Sequence, residues 1–282
     1  MIYFTTAEIE QWLLEDAPYH DETTRALGIA GQHGWLEVRA RETPSIICGT
    51  EELVRMAALL GLTVVISQPS GYCAHKGDLV MRLTGTAGAL HHWWKVAVVL
   101  LSHLSGVASA TRRVVDAICA VNPHIHLATT RKVPPGQRKL MVKAVLTGGG
   151  VIHRLGLSES VLVFAQHRAF LPADLSLAAL VNRLRQASTE KRIMLEAETE
   201  DEAIALAQAG ADVVQCDKLP PSVLKRLVPV LKAINPPIVV SAAGGITPHN
   251  AAEFAATGVD LLITSSVYHA PPVDFGVTMG VV

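Results

Sequence analysis

Short motifs of glycine, hydroxyl and charged residues recur along the second half of this 282-residue chain. Each motif follows a short apolar run that is typical of a buried parallel strand. Because ligands of parallel α/β folds bind at the carboxyl ends of the strands, we expect the motifs to converge on one rim. The motifs are Thr130-Arg131-Lys132, Glu196-Ala197-Glu198, Asp217, Ala243-Gly244-Gly245 and Thr264-Ser265-Ser266.

The glycine pair Gly244-Gly245 precedes a predicted helix, and its bare backbone N–H groups favour a phosphate group. Thr264 and Ser265, at the end of the next strand, could add two hydroxyl donors. An ordinary strand–loop–helix turn is the alternative for a lone glycine pair, but the hydroxyl-rich neighbour favours a phosphate site.

Positive side chains gather near the same rim in a chain whose net charge is −1. Arg131 and Lys132 stand directly after an apolar strand, where burial would require a partner. This placement favours an anionic ligand, because Arg grips carboxylate or phosphate with two parallel hydrogen bonds. A solvent-exposed salt-bridge face is the alternative for each residue. The set comprises Arg131, Lys132, Arg138, Lys143, His153 and Arg154.

Two acids, Glu198 and Asp217, end neighbouring predicted strands, so their carboxylates could converge. They could hold Mg²⁺ directly or through water, or accept hydrogen bonds from sugar hydroxyls. An exposed pair at helix starts is the alternative, since acids suit that end of the helix dipole. Together, the phosphate, cationic and acidic motifs predict a phosphorylated sugar with an anionic co-substrate.

Histidines and tryptophans form two further patterns. His124 and His126 point to one side of a predicted strand and could ligate a metal, but no acid or cysteine has matching spacing, which favours ordinary surface or core histidines. The run His91–Trp94 at a predicted helix start favours core or subunit-interface packing, with stacking on a ring-shaped substrate as the alternative.

Composition excludes several classes of protein. Half of the residues are hydrophobic and 17% are charged, which argues against disorder. A net charge of −1 gives no electrostatic footprint for nucleic acid. No apolar run approaches the ~20 residues of a membrane span, and Met1–Glu10 lacks the features of a signal peptide, so we expect a cytoplasmic protein. The four cysteines form no C-x-x-C pair and are expected to be buried, reduced thiols, namely Cys48, Cys73, Cys119 and Cys216.

Strands and helices alternate from about residue 110 onward, which predicts a parallel sheet covered on both sides. About six units are fewer than the eight of a complete TIM barrel. We therefore predict a curved, incompletely closed α/β barrel, with a doubly wound open sheet as the alternative. The predicted strands are His124–Thr129, Val161–Phe164, Arg192–Ala197, Asp212–Cys216, Pro237–Ser241 and Asp260–Thr264. The predicted helices are Gln137–Leu146, Asp174–Gln186, Asp201–Ala209, Pro221–Ile234 and His249–Thr257.

The first third of the chain mixes helices and strands without strict alternation, which predicts a separate α/β domain. Thr6 is the expected N-cap of the first helix. We place this domain at residues 1–105 and the barrel at 106–269, and expect the apolar tail 270–282 to join the N-terminal domain. The elements are helices Thr6–Glu15 and Glu51–Leu60 and strands Trp35–Ala40, Leu62–Ser67 and Asp78–Leu83.

These motifs resemble the quinolinate phosphoribosyltransferase family across essentially the whole chain. The most specific match is Thr130–Arg138 followed by Gly148–Leu157, which carry the family's T-R-K-x-x-P-G-x-R and G-G-G-x-x-H-R patterns. The other matching segments are Asp21–Thr24, His103–Arg112, Glu196–Glu198, Asp217, Gly244–Ile246 and Gly258–Asp260.

The resemblance implies a pentosyltransferase of NAD biosynthesis, which converts phosphoribosyl pyrophosphate and quinolinate, with Mg²⁺, into nicotinate mononucleotide, pyrophosphate and CO₂. It also implies an N-terminal α/β sandwich domain, an open α/β barrel and homodimers whose active sites include residues of the neighbouring N-terminal domain. Carried over by motif, the catalytic residues are Lys132, Glu198 and Asp217, and the two acids also hold Mg²⁺, directly or through water. The implied substrate-binding residues are Lys95, Thr130, Arg131, His153, Arg154 and Phe164, and the implied phosphate-binding residues are Ala243, Gly244, Gly245, Thr264 and Ser265.

Several positions depart from the family pattern. The interface arginine is Lys95, a substrate-site lysine is Phe164, and the acid and two serines before Gly-Gly are Ser241, Ala242 and Ala243. These departures resemble a branch of pyrophosphorylases associated with bacterial molybdate transport. We therefore expect a phosphoribosyltransferase-type pyrophosphorylase whose acceptor is anionic or aromatic and is not quinolinate. The alternatives are an ordinary carboxylating nicotinate-nucleotide pyrophosphorylase and a catalytically silent module that binds molybdate or another oxyanion.

Overall fold

The computed structural model describes residues 2–282, which divide into two compact units. The first unit comprises the residues up to Arg112, together with Pro134–Gly149 and Tyr268–Val282. The second comprises Arg113–Val133 and Gly150–Val267. In chain order the elements are α1 (Thr6–Asp16), α2 (Glu22–Ala26), β1 (His33–Ala40), β2 (Ser45–Ile46), α3 (Thr50–Leu59), β3 (Thr63–Ser67), β4 (Cys73–Ala74), β5 (Leu79–Thr86), α4 (Ala87–Cys119), β6 (His126–Thr129), α5 (Arg138–Thr147), β7 (Val151–Ile152), β8 (Val161–Val163), α6 (Ala165–Arg168), α7 (Leu177–Ala187), β9 (Ile193–Ala197), α8 (Glu200–Gln208), β10 (Val213–Asp217), α9 (Pro221–Ile234), β11 (Val239–Ala243), α10 (Ala251–Ala255), β12 (Leu261–Thr264) and β13 (Phe275–Val281).

The first unit is built on a four-stranded antiparallel sheet in the order β13-β1-β5-β3. Strand β13, from the C-terminal tail, pairs with β1 from Gly34↔Val281 to Ala40↔Phe275. Every second residue of β1 is buried and the others are partly or fully exposed, so one face of the strand faces the core, as the apolar–polar alternation of the sequence predicts. The tail is therefore an integral strand of this sheet.

Helix α1 begins one residue earlier than predicted, because Thr5 rather than Thr6 is its N-cap. The Thr5 hydroxyl accepts a hydrogen bond from Glu8 N at 3.2 Å, and the Thr5 N–H donates to Glu8 Oε2 at 2.6 Å. This capping box satisfies two backbone donors that a helix start leaves free. Helix α7 begins three residues later than predicted, because Ser176 caps it by accepting from Ala179 N at 3.2 Å.

The 33-residue helix α4 begins at Ala87, four residues before the helix start predicted at His91–Trp94, and its length was not predicted because its sequence lacks a clear polar face. Its apolar window has a mean hydropathy of 1.2, so by length and composition alone it could cross a membrane. However, 61% of that window is buried inside the protein, which is typical of a core helix. Trp93 on α4 is fully buried and its indole N–H donates to Leu53 O at 3.0 Å, which confirms the packing interpretation for this tryptophan.

A buried charge cluster ties α5 to α3 in the first unit. Lys143 on α5 forms ion pairs with Glu51, at 2.7 Å, and with Glu52. Burial works against the charged form of Glu51, but hydrogen bonds from Lys143 and Ser70 outweigh it and lower the pKa of Glu51 to about 2. The prediction that Lys143 adds positive charge to the ligand rim is therefore wrong, since its charge is neutralised inside the first unit.

The second unit contains a seven-stranded sheet in the order β7-β6-β12-β11-β10-β9-β8, and all its pairings are parallel. The two edge strands, β7 and β8, do not pair with each other in this order, so the barrel is incomplete. This confirms the predicted open α/β barrel against the doubly wound alternative. Helix α9 has the predicted bounds, with Pro221 in its first turn.

The cysteines form no disulfide among the described residues. Cys48 and Cys216 are buried, and burial raises their thiol pKa values to about 11 and about 12, so these thiols stay protonated at neutral pH. The expectation of burial is wrong for Cys73 and Cys119, which are exposed.

Gly148, which directly follows α5, permits close packing within the first unit. A Cβ at Gly148 would lie 2.5 Å from both Ala108 O and Thr111 Cβ, and the φ of −72° is open to any residue. We expect Gly148→Ala to lower the free energy of unfolding by about 1–3 kcal/mol through overpacking alone. Denaturant unfolding measures the loss. Gly31→Ala, which would meet nothing within 4 Å, is the matched control, and equal effects of the two substitutions would contradict the packing argument.

Candidate active site

The carboxyl ends of five adjacent parallel strands carry most of the predicted site residues. Thr130-Arg131-Lys132 follows β6, Thr264 ends β12 and Gly244-Gly245 follows β11. Asp217 is the last residue of β10, and Glu198 follows β9 directly. Because these strands are neighbours in the order β6-β12-β11-β10-β9, the five motifs succeed one another along one rim of the second unit.

Hydrogen bonds connect the part of this rim formed by the ends of β6, β12 and β11. Thr130 N–H donates to Thr264 O at 3.1 Å. The Thr264 hydroxyl lies within hydrogen-bond distance of Ile246 O, at 2.7 Å, and accepts from Ser266 N–H at 3.0 Å. Thr264 therefore holds the β11 loop against β12, and its hydroxyl is already engaged within the protein. Ser265 beside it is partly exposed and is the remaining hydroxyl candidate for a phosphate.

The loops after β10 and β11 approach each other closely. Lys218 has a φ of 58°, a left-handed conformation that is uncommon for residues other than glycine. Its N–H donates to Ala243 O at 2.7 Å, and its Nζ lies 3.2 Å from Asp217 Oδ2. A Cβ at Gly244 would lie 2.7 Å from Lys218 Cγ and 3.1 Å from Asp217 Oδ1, so only glycine permits this approach.

Three carboxylates lie near one another beside this loop. Burial, followed by the negative charge of Asp217, raises the pKa of Glu196, and the charge of Glu198 adds to the effect. Such a cluster favours a cation or hydrogen-bond donors as its partner. Within residues 2–282, no group of three His, Cys, Asp or Glu side chains is arranged to hold a metal alone. A magnesium ion here would therefore take its other ligands from water and substrate phosphates, which is the usual mode for Mg²⁺.

The cationic end of the rim surrounds Arg154. This side chain is only 8% exposed, and Phe164 lies beside it, with the ring centroid 5.8 Å from Arg154 Cζ. Burial and the nearby charge of Arg131 both lower the pKa of Arg154. Burial and the charge of Arg154 likewise lower the pKa of His153, so this imidazole is neutral at pH 7. Two guanidinium groups thus lie together with a neutral histidine and an aromatic ring.

The interior below the acids contains polar residues, of which the sequence analysis missed Gln215 and named Ser241 only as a departure from the family pattern. Gln215 stands in register with Glu196 on one side and Ser241 on the other. Gln215 Nε2 donates to Glu196 Oε2 at 2.7 Å, whereas the buried Gln215 Oε1 and Ser241 Oγ have no partner among the described residues. Strand alternation could have revealed them, since each lies two residues before a rim position.

Lys95 lies in the first unit, on α4, and is described there alone. It is exposed, and its Nζ lies 5.7 Å from the ring centroid of Trp94. Both residues line a cavity of about 480 Å³ in this unit, together with the Asp21–Thr24 segment and His91. Asp21 caps α2, and the Thr24 hydroxyl lies 2.7 Å from His91 Nδ1, which fixes α2 to α4.

Two family models cover most of the chain. The N-terminal domain of quinolinate phosphoribosyl transferase matches residues 21–105, and the C-terminal domain matches residues 107–278. The chain belongs to the quinolinate phosphoribosyltransferase family.

Members of this family from several organisms resemble the chain over nearly their whole length. "Putative pyrophosphorylase ModD" of Rhodobacter capsulatus is 44% identical over 86% of this chain and 93% of its own. The protein of the same name from Escherichia coli O6:H1 is 36% identical over 99% and 98%. "Probable nicotinate-nucleotide pyrophosphorylase [carboxylating]" of Archaeoglobus fulgidus is 32% identical over 82% and 88%.

Solved structures of quinolinate phosphoribosyltransferase relatives share the fold. NadC from Streptococcus pyogenes superposes with a TM-score of 0.88 at 23% identity over 100% of both chains. The nicotinate-nucleotide pyrophosphorylase of Ehrlichia chaffeensis gives a TM-score of 0.88 at 24% identity, covering 99% of this chain and 100% of its own. These findings confirm the predicted family, the fold class and the pentosyltransferase class of enzyme.

Two reasons could require glycine in the Gly244-Gly245 turn: the close approach of Lys218 and Asp217, and the positive φ of the backbone. Gly244 and Gly245 both have positive φ, of 89° and 73°, so alanine costs about 1–2 kcal/mol at either position. Only Gly244→Ala also clashes with Lys218 and Asp217, since a Cβ at Gly245 would meet nothing within 4 Å. We expect Gly244→Ala to lower the melting temperature clearly more than Gly245→Ala in calorimetry. Equal losses would mean that strain alone requires the glycines.

Proposed function

We propose that this ModD-like member of the family transfers the phosphoribosyl group of phosphoribosyl pyrophosphate to a small anionic or aromatic acceptor and releases pyrophosphate. The observation that carries the proposal is the meeting, on one rim, of the Gly244-Gly245 turn, the Asp217–Glu198 acids and the Arg131–Arg154 pair. The turn complements the 5′-phosphate, the acids complement the ribose, and the arginine pair complements an anionic group of the acceptor.

The chemistry of the transfer assigns a role to each part of the rim. The bond from C1′ of the sugar to the pyrophosphate oxygen breaks, and the acceptor's lone pair forms the new bond to C1′. Positive charge develops on the sugar and negative charge on the leaving oxygen. We assign Lys132 to the leaving pyrophosphate and Glu198 and Asp217 to the ribose hydroxyls, because fixed charges placed where charge develops stabilise the transition state.

The remaining residues bind the 5′-phosphate of phosphoribosyl pyrophosphate and the acceptor. The backbone N–H groups of Gly244 and Gly245, with Ser265, hold the 5′-phosphate, and Ala243 and Thr264 shape that turn. Arg131, Arg154 and His153 bind the acceptor, with Thr130 at the base of their loop. The Thr130 hydroxyl accepts from Lys132 N–H at 3.2 Å, which orients the loop.

Magnesium fits the acids of this rim. Glu198 and Asp217 would hold it directly or through water, and Glu196 stands close enough to add negative charge. When bound, the ion supplies charge neutralisation for the pyrophosphate group. The protein's own part is to present acids on two neighbouring strand ends.

The first experiment measures pyrophosphate release from phosphoribosyl pyrophosphate and Mg²⁺ by wild-type protein and Lys132→Ala, with and without quinolinate. We expect acceptor-dependent release that Lys132→Ala lowers about 10²–10³-fold, as for removal of a group that stabilises transition-state charge. Lys232→Ala is the control, because Lys232, in the last turn of α9, pairs with Asp260 just before β12 begins, at the opposite edge of the sheet from the rim.

The outcomes separate the candidate functions. Efficient release with quinolinate would favour the carboxylating activity for which several relatives are named. Absence of release with every acceptor, combined with saturable binding of molybdate, would overturn the proposal in favour of an oxyanion-binding role.

We further propose that the enzyme is a cytoplasmic homodimer and that Lys95 of one subunit completes the active site of the other. The support is the exposure of Lys95 beside Trp94 on a cavity of the first unit. The link to molybdenum transport is proposed only from the similarity to ModD proteins.

Mixing two inactive variants tests the shared site. If Lys95 and Lys132 of one active site come from different chains, a dimer of one Lys95→Ala and one Lys132→Ala subunit has one intact site. We expect a refolded equal mixture to recover about a quarter of wild-type activity, since half of the dimers are mixed and half of their sites are intact. Mixtures that stay as inactive as the separate variants would place both lysines in the same chain's site.

A further inference from the structure

Arg154 is a buried cation with which no acid among residues 2–282 forms an ion pair. Its side chain is 8% exposed, and it forms no hydrogen bond or ion pair with the residues that the structure describes. Arg131 is close enough to lower the pKa of Arg154 by repulsion. Burying a guanidinium beside a second one is unfavourable unless an anion lies with them. The pair therefore requires one anionic group from a ligand.

In the second unit, little positive charge is left for a second anionic group, because Lys132 is assigned above to the leaving pyrophosphate. Lys95, proposed above to come from the neighbouring subunit, adds one exposed charge. His153 is neutral at pH 7, because burial and Arg154 lower its pKa. Arg168 is paired with Glu202, and Lys218 lies against Asp217. The charge of Glu159 acts on Arg154 and raises its pKa, and it would repel a second anion; Glu159 accepts a hydrogen bond from Leu155 N–H.

Phe164 presents an apolar surface beside Arg154. Its ring centroid lies 5.8 Å from Arg154 Cζ and 5.6 Å from the ring centroid of His167, which is stacked at 20°. Phe164 N–H donates to His167 Nδ1 at 3.0 Å, which fixes the stacked pair at the start of α6. An aromatic ring held in this way favours contact with another apolar or aromatic surface and disfavours a carboxylate.

We propose that the acceptor is a planar nitrogen heteroaromatic ring with a single carboxylate, and that Phe164 excludes dicarboxylates. The carboxylate lies with Arg131 and Arg154, and the ring edge contacts Phe164. The proposal rests on the phosphoribosyl transfer proposed above. The ring nitrogen donates its lone pair to C1′ while the C1′–O bond breaks and its electron pair leaves with pyrophosphate. A pyridine-type nitrogen needs no proton removed and gives a pyridinium product.

The test compares three pyridine acids with wild-type protein, phosphoribosyl pyrophosphate and Mg²⁺. Nicotinate and picolinate carry one carboxylate, and quinolinate carries two. Pyrophosphate release gives kcat and KM for each, and mass spectrometry identifies the product. We expect kcat/KM for at least one monocarboxylate to exceed that for quinolinate by about tenfold or more. Turnover of quinolinate equal to or better than both monocarboxylates overturns the proposal and leaves the transfer reaction established.

Variants at position 164 test whether Phe164 causes the discrimination between monocarboxylates and quinolinate. We expect Phe164→Lys to shift the ratio of kcat/KM values toward quinolinate by about tenfold or more, chiefly through KM. Phe164→Leu removes the ring without adding charge and should leave quinolinate poor. Phe170→Lys adds the same charge at a side chain that is 91% exposed and should change nothing. Similar shifts in Phe164→Lys and Phe170→Lys would contradict a specific role of Phe164.

Calorimetric binding of the same three acids separates this inference from the transfer reaction. If no acid supports pyrophosphate release, the proposed function fails, but preferential binding of a monocarboxylate that Phe164→Lys reverses still supports the recognition. Failure of both monocarboxylates to bind or react overturns it.

Discussion

The parallel pairing of five strands is the constraint on which the candidate site depends. Strands β6, β12, β11, β10 and β9 run in one direction, and their register aligns Asp217 with Ala243 and Thr264 with Thr129. Parallel strands cannot be joined by tight hairpins, so each returns through a crossover and all carboxyl ends meet at one edge. Residues far apart in the chain therefore become neighbours without any direct sequence signal of their proximity.

Two buried cations, Lys143 and Arg154, differ in how the unfavourable desolvation of their charge is compensated. Lys143 is neutralised by Glu51 and Glu52 inside the first unit, and nothing further is required of it. Arg154 is as well buried but has a second guanidinium and an aromatic ring as neighbours. A buried charge with acid partners is satisfied within the fold, whereas one without an ion-paired acid marks a candidate place for a ligand. Both residues belong to the same basic stretch of sequence, and only their three-dimensional partners distinguish them.

Sequence periodicity predicted the strands and helices of the barrel to within a few residues, and the specific motifs indicated the family. The same reasoning predicted a helix start at His91–Trp94 but not the length of α4, because its largely apolar sequence has no clear polar face to reveal its period. It also missed Gln215 and did not predict that Ser241 is buried, since polar residues inside strands look like solvent-facing ones until the sheet's two faces are known. The left-handed φ of Lys218 has no signature in the sequence, because it follows from the closeness of Asp217 and Gly244.

The two ends of the rim differ in how they relate to the family pattern. At the end proposed for pyrophosphate and ribose, Lys132, Glu198 and Asp217 match the family's residue types. At the end proposed for the acceptor, the resemblance puts Phe164 where the family has a lysine, and it puts Ser241, in the interior below, where the family has an acid. Replacing a charged side chain by an apolar one changes which ligand charge can be neutralised, while the leaving group and its chemistry stay the same. The retained residues therefore support the class of reaction, and the changed ones bear on its acceptor.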